Sequence, residues 1–163
     1  MAQILEEKME ECEELFEVRG IRMELNLENT PDGLIFWGNK ELTSIAIGAF
    51  LSNAVFYSTE GAVVCVDAET ASAAASETAK TEQGDVSGVI RVLIRNTGAH
   101  IDEEDIRHLF EPFYRTDKSR SRRSGGSGLG LYLAKLILEK QGGSCKLEND
   151  GEDVLATIEL PRC

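Results

Sequence analysis

The chain has 163 residues, of which 42% are hydrophobic, and this supplies enough apolar material for one domain with a sizeable core. Its 17 basic and 29 acidic side chains give a formal net charge of -12 at pH 7, which disfavours broad electrostatic binding to nucleic acid or to an anionic membrane. No apolar run approaches the roughly 20 residues that cross a bilayer, and the N-terminus is too acidic for a signal peptide. We therefore expect a cytoplasmic domain without nucleic-acid or membrane contact, in which phosphate binding is local.

The four cysteines lie far apart and include no C-x-x-C pair of the kind that zinc and redox sites use. Reduced thiols in a cytoplasmic domain are the expected interpretation. They are Cys12, Cys65, Cys145 and Cys163.

The N-terminal part of the chain is predicted to form two helices and two strands. Four apolar residues at helical spacing, then a glycine that can end a helix, predict an amphipathic opening helix: Leu5, Met9, Cys12, Phe16 and Gly20. Residues 21–27 alternate between apolar and polar, which predicts a half-buried strand. A turn at residues 31–33 leads into a second short strand, residues 33–37. Asn39 is a good N-cap, and the apolar segment from Lys40 to Tyr57 is predicted to be helical.

A segment poor in bulky side chains, residues 69–88, divides the remaining elements, and we expect it to form a mobile hairpin insertion. Before this segment, a strand is predicted from Ala62 to Val66. After it, we expect a strand from Val89 to Arg95, a short helix that begins near Asp102, and a helix from Leu129 to Gln141. Two strands are predicted to close the domain, Cys145 to Glu148 and Val154 to Leu160. These elements predict an α/β (α+β) two-layer sandwich, with a mixed sheet of about five strands covered on one face by about three helices.

The strongest chemical signal is G-G-S-G-L-G-L, in which Gly126, Gly128 and Gly130 alternate directly before an apolar helix. Glycines allow close backbone approach, and free amides at a helix start can bind phosphate oxygens. The spacing matches neither a Rossmann fingerprint nor a P-loop. Taken alone, the motif is equally compatible with a flexible loop that only needs glycines.

The long predicted helix carries a second signal, because Ala49, Asn53 and Tyr57 are spaced by four and project from one side of it. An asparagine oxygen is a suitable ligand for Mg²⁺ that is shared with triphosphate oxygens. The alternative for Asn53 is a structural amide. Tyr57 could stack on a base, although an aromatic residue at this spacing is more often part of a core.

Four segments resemble the boxes of sensor histidine kinases and follow one another in the family's order. F-L-S-N-A-V-F-Y-S resembles the N box, and N-T-G resembles the first glycine box. L-F-E-P-F-Y-R resembles the F box, and G-S-G-L-G-L resembles the second glycine box. The resemblance covers nearly the whole chain and includes features of the glycopeptide-resistance branch. It implies that residues 1–163 form a single ATP-binding domain with the Bergerat (GHKL) fold, and that residues 116–127 form a lid over ATP.

The resemblance also implies roles for individual residues on the base side of the site. Asn53 would bind Mg²⁺, and Tyr57 would line the adenine pocket. Asn96 stands where the family usually has an aspartate that accepts a hydrogen bond from the adenine amino group, so weaker adenine binding is expected from the lost charge assistance. Gly98 would allow the backbone to approach the base.

On the phosphate side, the resemblance implies that Phe110 and Phe113 pack the lid against the domain and that Arg115 reaches the terminal phosphate. Five residues of the second glycine box would supply amides and the turn around the phosphates: Gly126, Gly128, Leu129, Gly130 and Leu131. Three further departures from the family pattern remove polar or flexible groups from the site, namely Ala49, Phe56 and His100. Basic side chains in the lid could compensate, or could simply be solvated: Lys118, Arg120, Arg122 and Arg123.

The resemblance implies transfer of the ATP γ-phosphoryl group to a histidine. ATPases of the same fold have a glutamate general base at the position of Ala49, so hydrolysis is not expected as the main activity. His100 and His108 lie outside any acceptor-like context, and we expect the acceptor on a dimerisation domain upstream of this chain, in a parent anchored in the bacterial membrane. A response regulator would receive the phosphoryl group. Two alternatives remain, a degenerate nucleotide-binding regulatory module and a serine kinase of the anti-sigma-factor type.

Overall fold

A computed structural model of the chain describes residues 1–27, 33–72, 88–115 and 127–163. The predicted insertion and lid fall largely between these ranges, so residues 73–87 and 116–126 lie outside the described residues. Nine elements follow one another along the described chain: α1 (Ala2–Val18), β1 (Arg22–Leu27), α2 (Lys40–Tyr57), β2 (Val63–Ala71), β3 (Val89–Asn96), α3 (Glu103–His108), α4 (Gly130–Lys140), β4 (Ser144–Asp150) and β5 (Asp153–Pro161).

The strands form one mixed sheet in the order β1-β2-β3-β5-β4, in which β1 and β2 are parallel and the other neighbours are antiparallel. Side chains alternate between the two faces of a strand, and the burial pattern of β2 and β3 follows this alternation. The buried face is covered by helices, whereas the other face carries half-exposed side chains. The structure thus confirms the predicted mixed sheet of five strands, and the short helix predicted near Asp102 is present as α3.

The core lies between the sheet and α2. This helix packs against α1, α4 and β3, which explains why its sequence is apolar around much of its circumference. Ile47, Phe50 and Leu51 are at most 2% exposed. Burying each such side chain stabilises the fold by about 1.5–3 kcal/mol. The position of α2 on the sheet places the polar side chains of its last turns.

The N-cap of α2 behaves as the sequence predicts. The Asn39 side chain accepts a hydrogen bond from the Leu42 amide at 2.8 Å, which satisfies one of the free donors of the first turn. The helix ends at Tyr57, as predicted. Within the described ranges, no helix is long and apolar enough to span a bilayer.

The prediction of a strand over residues 33–37 was wrong. Phe36 forms a single antiparallel bridge with Arg162, and the Trp37 amide donates to the Pro161 carbonyl at 2.9 Å. No ladder develops, because the chain must turn at Gly38 to reach the Asn39 cap of α2. The segment is therefore a short edge contact beside the end of β5.

The predicted end of β2 at Val66 was also wrong, because the strand continues to Ala71. The three residues Glu69, Thr70 and Ala71, which we expected in the insertion, pair with β3 in antiparallel register. Their small and polar side chains give no strong sequence signal. The backbone pairing with β3, supported by a 3.4 Å contact between Glu69 and Arg91, determines their conformation instead.

Candidate functional site

An open pocket lies between the last turns of α2 and the inward faces of β3, β4 and β5. Its lining is mainly apolar with a few polar groups, which is the usual character of a small-molecule site. The lining residues are Phe50, Asn53, Ala54, Tyr57, Ile94, Asn96, Ile101, Leu147, Val154 and Ala156.

The floor of the pocket is set by strand register. Asn96 pairs with Val154 and Ile94 pairs with Ala156 in the β3–β5 ladder, while Leu147 of β4 pairs with Ala156. Residues two apart in a strand point to the same face of the sheet. The floor is therefore a continuous apolar surface with one amide, Asn96, at its edge.

Asn96 is 2% exposed, and protein groups hold its amide. Its Nδ2 donates to the Ala54 carbonyl at 2.9 Å, and its Oδ1 lies 2.8 Å from the Ser58 hydroxyl, which can donate to it. Buried polar groups need such partners, because an unsatisfied one costs about 1–3 kcal/mol. The sequence predicted an acceptor at position 96 but gave no sign of these two partners.

Asn53 lies on the wall formed by α2 and is half-buried. Within the described part of the chain, its side-chain amide has no hydrogen-bond partner. Its oxygen is thus available as a neutral ligand, and Mg²⁺ favours oxygen ligands of this kind when phosphate oxygens and water complete its shell. The site is chemically suited to the predicted Mg²⁺, although no geometry for the ion follows from Asn53 alone.

Two aromatic pairs flank the pocket. Tyr57 lines it, and its ring packs edge-on against Phe56 with centroids 5.2 Å apart. Phe50 also lines it, and its ring lies 6.3 Å from that of Phe110. The Lys135 ammonium sits 5.6 Å from the Phe110 ring centroid, at cation–π distance. Phe110 thus packs against the pocket wall and is not among the residues that line the pocket.

The loop after β3 is fastened to the β4–β5 hairpin by an asparagine. The Ile101 amide donates to Asn149 Oδ1 at 3.1 Å, and Asn149 Nδ2 donates to the Ile101 carbonyl at 2.7 Å. Ile101 is 3% exposed and lines the pocket. One side chain therefore satisfies both backbone groups of a pocket residue.

Gly98 lies in the same loop but not on the pocket lining. Its φ of 64° explains the need for glycine, and its amide donates to Asp153 Oδ1 at 3.0 Å. Asp153 also lies 3.4 Å from Arg95, which bonds Asp150 at 2.7 Å. Hydrogen bonding to Asp150 raises the pKa of Arg95. The β4–β5 hairpin thus holds the amide of Gly98. The predicted approach of the Gly98 backbone to a base stays a prediction.

The F box and the second glycine box meet through their backbones. The Phe113 amide donates to the Gly128 carbonyl at 2.9 Å, and both residues have positive φ, 65° and 72°. A Cβ on Gly128 would lie 2.9 Å from the carbonyl oxygen of Tyr114. Packing of the Phe113 ring against the domain was a wrong prediction: the left-handed turn directs it outward, and Phe113 is 72% exposed.

The start of α4 packs against α2, the helix whose last turns form one wall of the pocket. Leu129 is the N-cap and makes no side-chain capping bond, so within the described ranges no side chain of the N-cap takes up the first amides of α4. A Cβ on Gly130 would lie 3.8 Å from the Ala49 methyl group, which shows how closely α2 and α4 approach there. Leu131 is 8% exposed and anchors the first turn in the core. Position 49 thus serves helix packing in this chain.

The remaining predicted site residues are only partly placed. Gly126 lies outside the described residues, as do the four basic residues that could compensate for the departures, Lys118, Arg120, Arg122 and Arg123. Arg115 is half-buried and is not part of the pocket lining. Its contact with a phosphate therefore stays a prediction.

Neither histidine enters the pocket. His100 is exposed, and His108 lies 2.8 Å from Glu111 with its ring 5.2 Å from that of Tyr114. In the described ranges, no cluster of three or more His, Cys, Asp or Glu side chains could hold a metal ion. Asn53 remains the candidate metal ligand on α2.

Sequence reasoning missed the apolar floor and the groups that support it. Ile94 and Val154 could have been found from the alternation of β3 and β5, because they share the inward face with neighbours already predicted to be in strands. Ser58, Ile101 and Asn149 had no such signal, because their contacts join segments far apart in the sequence.

The sequence is similar to curated sensor kinases. It is 32% identical over 126 residues to the sensor histidine kinase RppB of Synechocystis sp., covering 77% of this chain and 24% of that protein. It is 43% identical over 76 residues to the sensor protein VanSC of Enterococcus gallinarum, covering 47% of this chain and 21% of that protein. The chain thus spans about a quarter or less of the length of these relatives.

The fold is similar to solved kinase domains. The catalytic domain of histidine kinase ThkA superposes with a TM-score of 0.75 at 22% identity, covering 99% of this chain and 93% of that chain. A structure of ThkA in complex with the response regulator protein TrrA gives a TM-score of 0.70 at 19% identity, covering 100% of this chain and 40% of that one. These neighbours confirm the predicted fold class.

The family described as histidine kinase-, DNA gyrase B-, and HSP90-like ATPase matches residues 38–162, which hold every pocket residue and all four boxes. The chain therefore belongs to this ATPase family.

Proposed function

We propose that the chain is the ATP-binding catalytic domain of a sensor histidine kinase, which transfers the γ-phosphoryl group of ATP to a histidine on a dimerisation domain of the same parent protein. The observation that carries this proposal is the convergence of Asn53, Tyr57 and Asn96 on one pocket. These residues come from two predicted boxes that are far apart in the sequence.

The base would enter the apolar end of the pocket. The floor of Ile94, Val154 and Ala156 offers a dry surface, and Tyr57 offers an aromatic side wall. The oxygen of Asn96 would accept a hydrogen bond from the amino group of adenine. This arrangement would orient ATP with its phosphates towards Asn53 and the start of α4.

Mg²⁺ would supply charge neutralisation between the phosphates when it is bound. Asn53 would hold it through the side-chain oxygen, which has no protein partner in the described ranges. The first amides of α4, with the partial positive charge of the helix dipole, would bind phosphate oxygens. Arg115, Gly126 and Gly128 would complete this side, and the lid of residues 116–127 would close over the nucleotide.

Phosphoryl transfer depends mainly on positioning and charge stabilisation, so this domain would supply the bound nucleotide while another domain supplies the nucleophile. Two findings support that division. Both described histidines lie outside the pocket, and the chain covers about a quarter of its relatives. The parent would be anchored in the bacterial membrane, with this domain in the cytoplasm and a response regulator as the next acceptor.

Nucleotide binding tests the first half of the proposal. The domain should bind ATP more tightly with Mg²⁺ than with EDTA. In Asn53→Ala, the ratio of these two affinities should be at least about tenfold smaller than in the wild type. Ser52→Ala is the matched control, because Ser52 is exposed on the same helix and does not line the pocket. Equal ATP affinity of the wild type with and without Mg²⁺ would contradict the proposal that Asn53 binds the metal.

Transfer tests the second half. The domain is incubated with radiolabelled ATP, Mg²⁺ and a histidine hairpin from the parent, and the acid stability of the labelled product is measured. Acid-labile label on the hairpin supports histidine phosphorylation. Acid-stable label on serine would favour the anti-sigma-factor type of kinase, and Mg²⁺-dependent binding without any transfer would favour a regulatory module.

A further inference from the structure

We propose that Asp153 is a positioning residue of the nucleotide site. Its carboxylate holds the amide of Gly98 and thereby fixes the loop of residues 97–102, which carries Ile101 into the pocket wall. This inference rests on the proposed function, because it concerns the same pocket. It adds the group on the β4–β5 hairpin that keeps one wall of that pocket in place.

The loop turns sharply at Gly98 as it leaves β3. Gly98 has a φ of 64°, and a Cβ there would meet no atom of the described residues within 4 Å. Glycine is therefore required by the backbone conformation and not by close packing. Because packing does not set the direction of the chain at this exposed residue, the 3.0 Å bond from its amide to Asp153 Oδ1 supplies that constraint.

The conformation after this turn decides which side chain reaches the pocket. Ala99 and Ile101 are each 3% exposed, whereas His100 between them is exposed. Ile101 lines the pocket. Because Gly98 is close to Ile101 in the sequence, a rotation of the backbone at Gly98 would shift Ile101 in the pocket wall.

The hairpin holds the loop at two points. Asn149 bonds both backbone groups of Ile101, at 3.1 and 2.7 Å, and Asp153 bonds the amide of Gly98. The two side chains stand on either side of the turn that joins β4 to β5. A loop held by Asn149 alone could pivot about Ile101, so the bond with Asp153 is what makes the arrangement rigid.

Asp153 also contacts Arg95, but this contact is the weaker part of its role. Asp153 Oδ2 lies 3.4 Å from Arg95 Nη1, whereas Asp150 Oδ2 lies 2.7 Å from the same nitrogen. The side chains of Arg95 and Asp150 are 34% and 53% exposed, and ion pairs in such surroundings contribute little. The bond with Gly98 uses the other oxygen, Oδ1, so an acceptor at this position matters more than a charge.

The experiment measures the Kd of Mg-ATP for the wild type and two substitutions of Asp153. Asp153→Ala removes the acceptor and should weaken binding at least about fivefold, because the pocket wall loses its support. Asp153→Asn keeps an oxygen that accepts from Gly98 but loses the charge, and its Kd should stay within about twofold of the wild type. A residue that acted through its charge would show no such rescue.

Asp150→Ala is the matched control. It lies on the same hairpin and removes the shorter ion pair with Arg95, and the described residues show no bond from it to the loop. Its Kd for Mg-ATP should stay within about twofold of the wild type. Loss of binding in Asp153→Ala but not in Asp150→Ala separates support of the loop from the charge of the hairpin.

Hydrogen exchange of the loop without nucleotide measures the same contact directly. The amide of Gly98 should exchange at least about tenfold faster in Asp153→Ala than in the wild type, and should be unchanged in Asp150→Ala. Thermal unfolding shows whether each variant is folded at the temperature of the assays. If Asp153→Ala is not, Asp153→Thr takes its place, because threonine suits a strand and its hydroxyl is too short to reach Gly98. The same losses are expected.

Three results would overturn the inference. These are wild-type affinity in the folded variant that lacks the acceptor, a loss in Asp153→Asn as large as in Asp153→Ala, and an equal loss in Asp150→Ala. Each leaves the proposed function intact as long as the wild type binds Mg-ATP. A wild type that does not bind Mg-ATP would overturn the proposed function and with it the role of Asp153 in nucleotide binding, whereas the exchange of Gly98 would still show whether Asp153 holds the loop.

Discussion

The Phe113 amide donates a hydrogen bond to the Gly128 carbonyl at 2.9 Å, and this bond joins the two chain segments on either side of residues 116–126. Both residues adopt left-handed backbone conformations, which cost little for glycine and about 1–2 kcal/mol for other residues. The bond contributes about 0.5–1.5 kcal/mol against this cost at Phe113. The base of the predicted lid is therefore closed by backbone geometry.

A first prediction concerns Gly128. Gly128→Ala should destabilise the fold by more than the 1–2 kcal/mol of a left-handed alanine, because its methyl group would also meet the backbone of Phe113 and Tyr114 at about 2.9–3.0 Å. It should also weaken Mg-ATP binding several-fold, since the amides after it would shift. Thermal unfolding and a binding titration measure the two effects.

Gly151→Ala is the control for backbone strain. Gly151 has a φ of 66°, close to that of Gly128, but a methyl group there meets no atom within 4 Å. It lies in the β4–β5 turn, and its substitution should lower stability by about 1 kcal/mol without changing ATP affinity. If both variants lost the same stability and kept the same ATP affinity, the close approach of Gly128 to the backbone of Phe113 and Tyr114 would contribute to neither property.

The sequence predicts an element well where its signal is local. The bounds of α2 were predicted correctly because Asn39 caps it and its apolar residues are continuous up to Tyr57. The end of β2 was predicted incorrectly, because residues Glu69 to Ala71 become a strand only through pairing with β3. Phe113 was misplaced for a related reason: a non-glycine residue gives no sign that its backbone is left-handed.

The same division applies to the pocket. Asn53, Tyr57 and Asn96 were found because polar or aromatic side chains at box positions imply chemistry. Ile101 and Leu147 were not found, because their place in the floor depends on strand register and on a loop held from another hairpin. Local patterns thus predict the groups that would contact a ligand, whereas the surface that shapes the pocket is a property of the tertiary fold.

A second prediction concerns the support of that surface by Asn149. Asn149→Ala would leave the amide and carbonyl of Ile101 without their partner, at a cost of about 1–3 kcal/mol. Because Ile101 lines the pocket, ATP affinity should also fall several-fold. Asn26→Ala, which removes an exposed bond to Asp67 on β2, should change stability by at most about 0.5 kcal/mol and leave binding unchanged. Equal losses in both variants would contradict this role.

A third prediction concerns thiol reactivity. Burial raises the pKa of Cys145 to about 12 from its ordinary 9.0, so at pH 8 its thiolate is about a thousand times scarcer than that of an ordinary thiol. Iodoacetamide should therefore modify exposed Cys163 first and Cys145 last, as mass spectrometry of timed samples would show. Rapid modification of native Cys145 at pH 8 would contradict the burial.

The raised pKa of Cys145 has a consequence for stability. The folded protein holds the neutral thiol, and the unfolded chain ionises near 9.0, so this contribution is fully present below about pH 9 and is lost as the pH rises towards 12. Cys145→Ser variants should show a smaller loss of unfolding free energy over that pH range. If the wild type and the variant lost the same unfolding free energy over this pH range, groups other than Cys145 would cause the loss.

A fourth prediction concerns the charged cluster on the outer face of the sheet. Arg91 bonds Glu159 on β5 at 2.8 and 2.9 Å and lies 3.4 Å from Glu69 on β2, so one guanidinium links three strands. Hydrogen bonding to Glu159 raises the pKa of Arg91, and the guanidinium keeps its charge. The Glu159 side chain is only 11% exposed, which makes its bonds with Arg91 stronger than those of a surface pair.

Arg91→Ala should therefore lower the free energy of unfolding by about 2–3 kcal/mol, because it removes charge-assisted bonds from a largely buried carboxylate. Lys146→Ala is the matched control: its 2.6 Å pair with Glu148 lies on the same sheet, but its side chain is 67% exposed, and its loss should cost at most about 1 kcal/mol. Denaturant unfolding of both variants compares the two. A cost for Arg91→Ala no larger than that for Lys146→Ala would show that the three-strand link does not stabilise the sheet under the site, and that the register of its floor depends on backbone pairing and apolar packing alone.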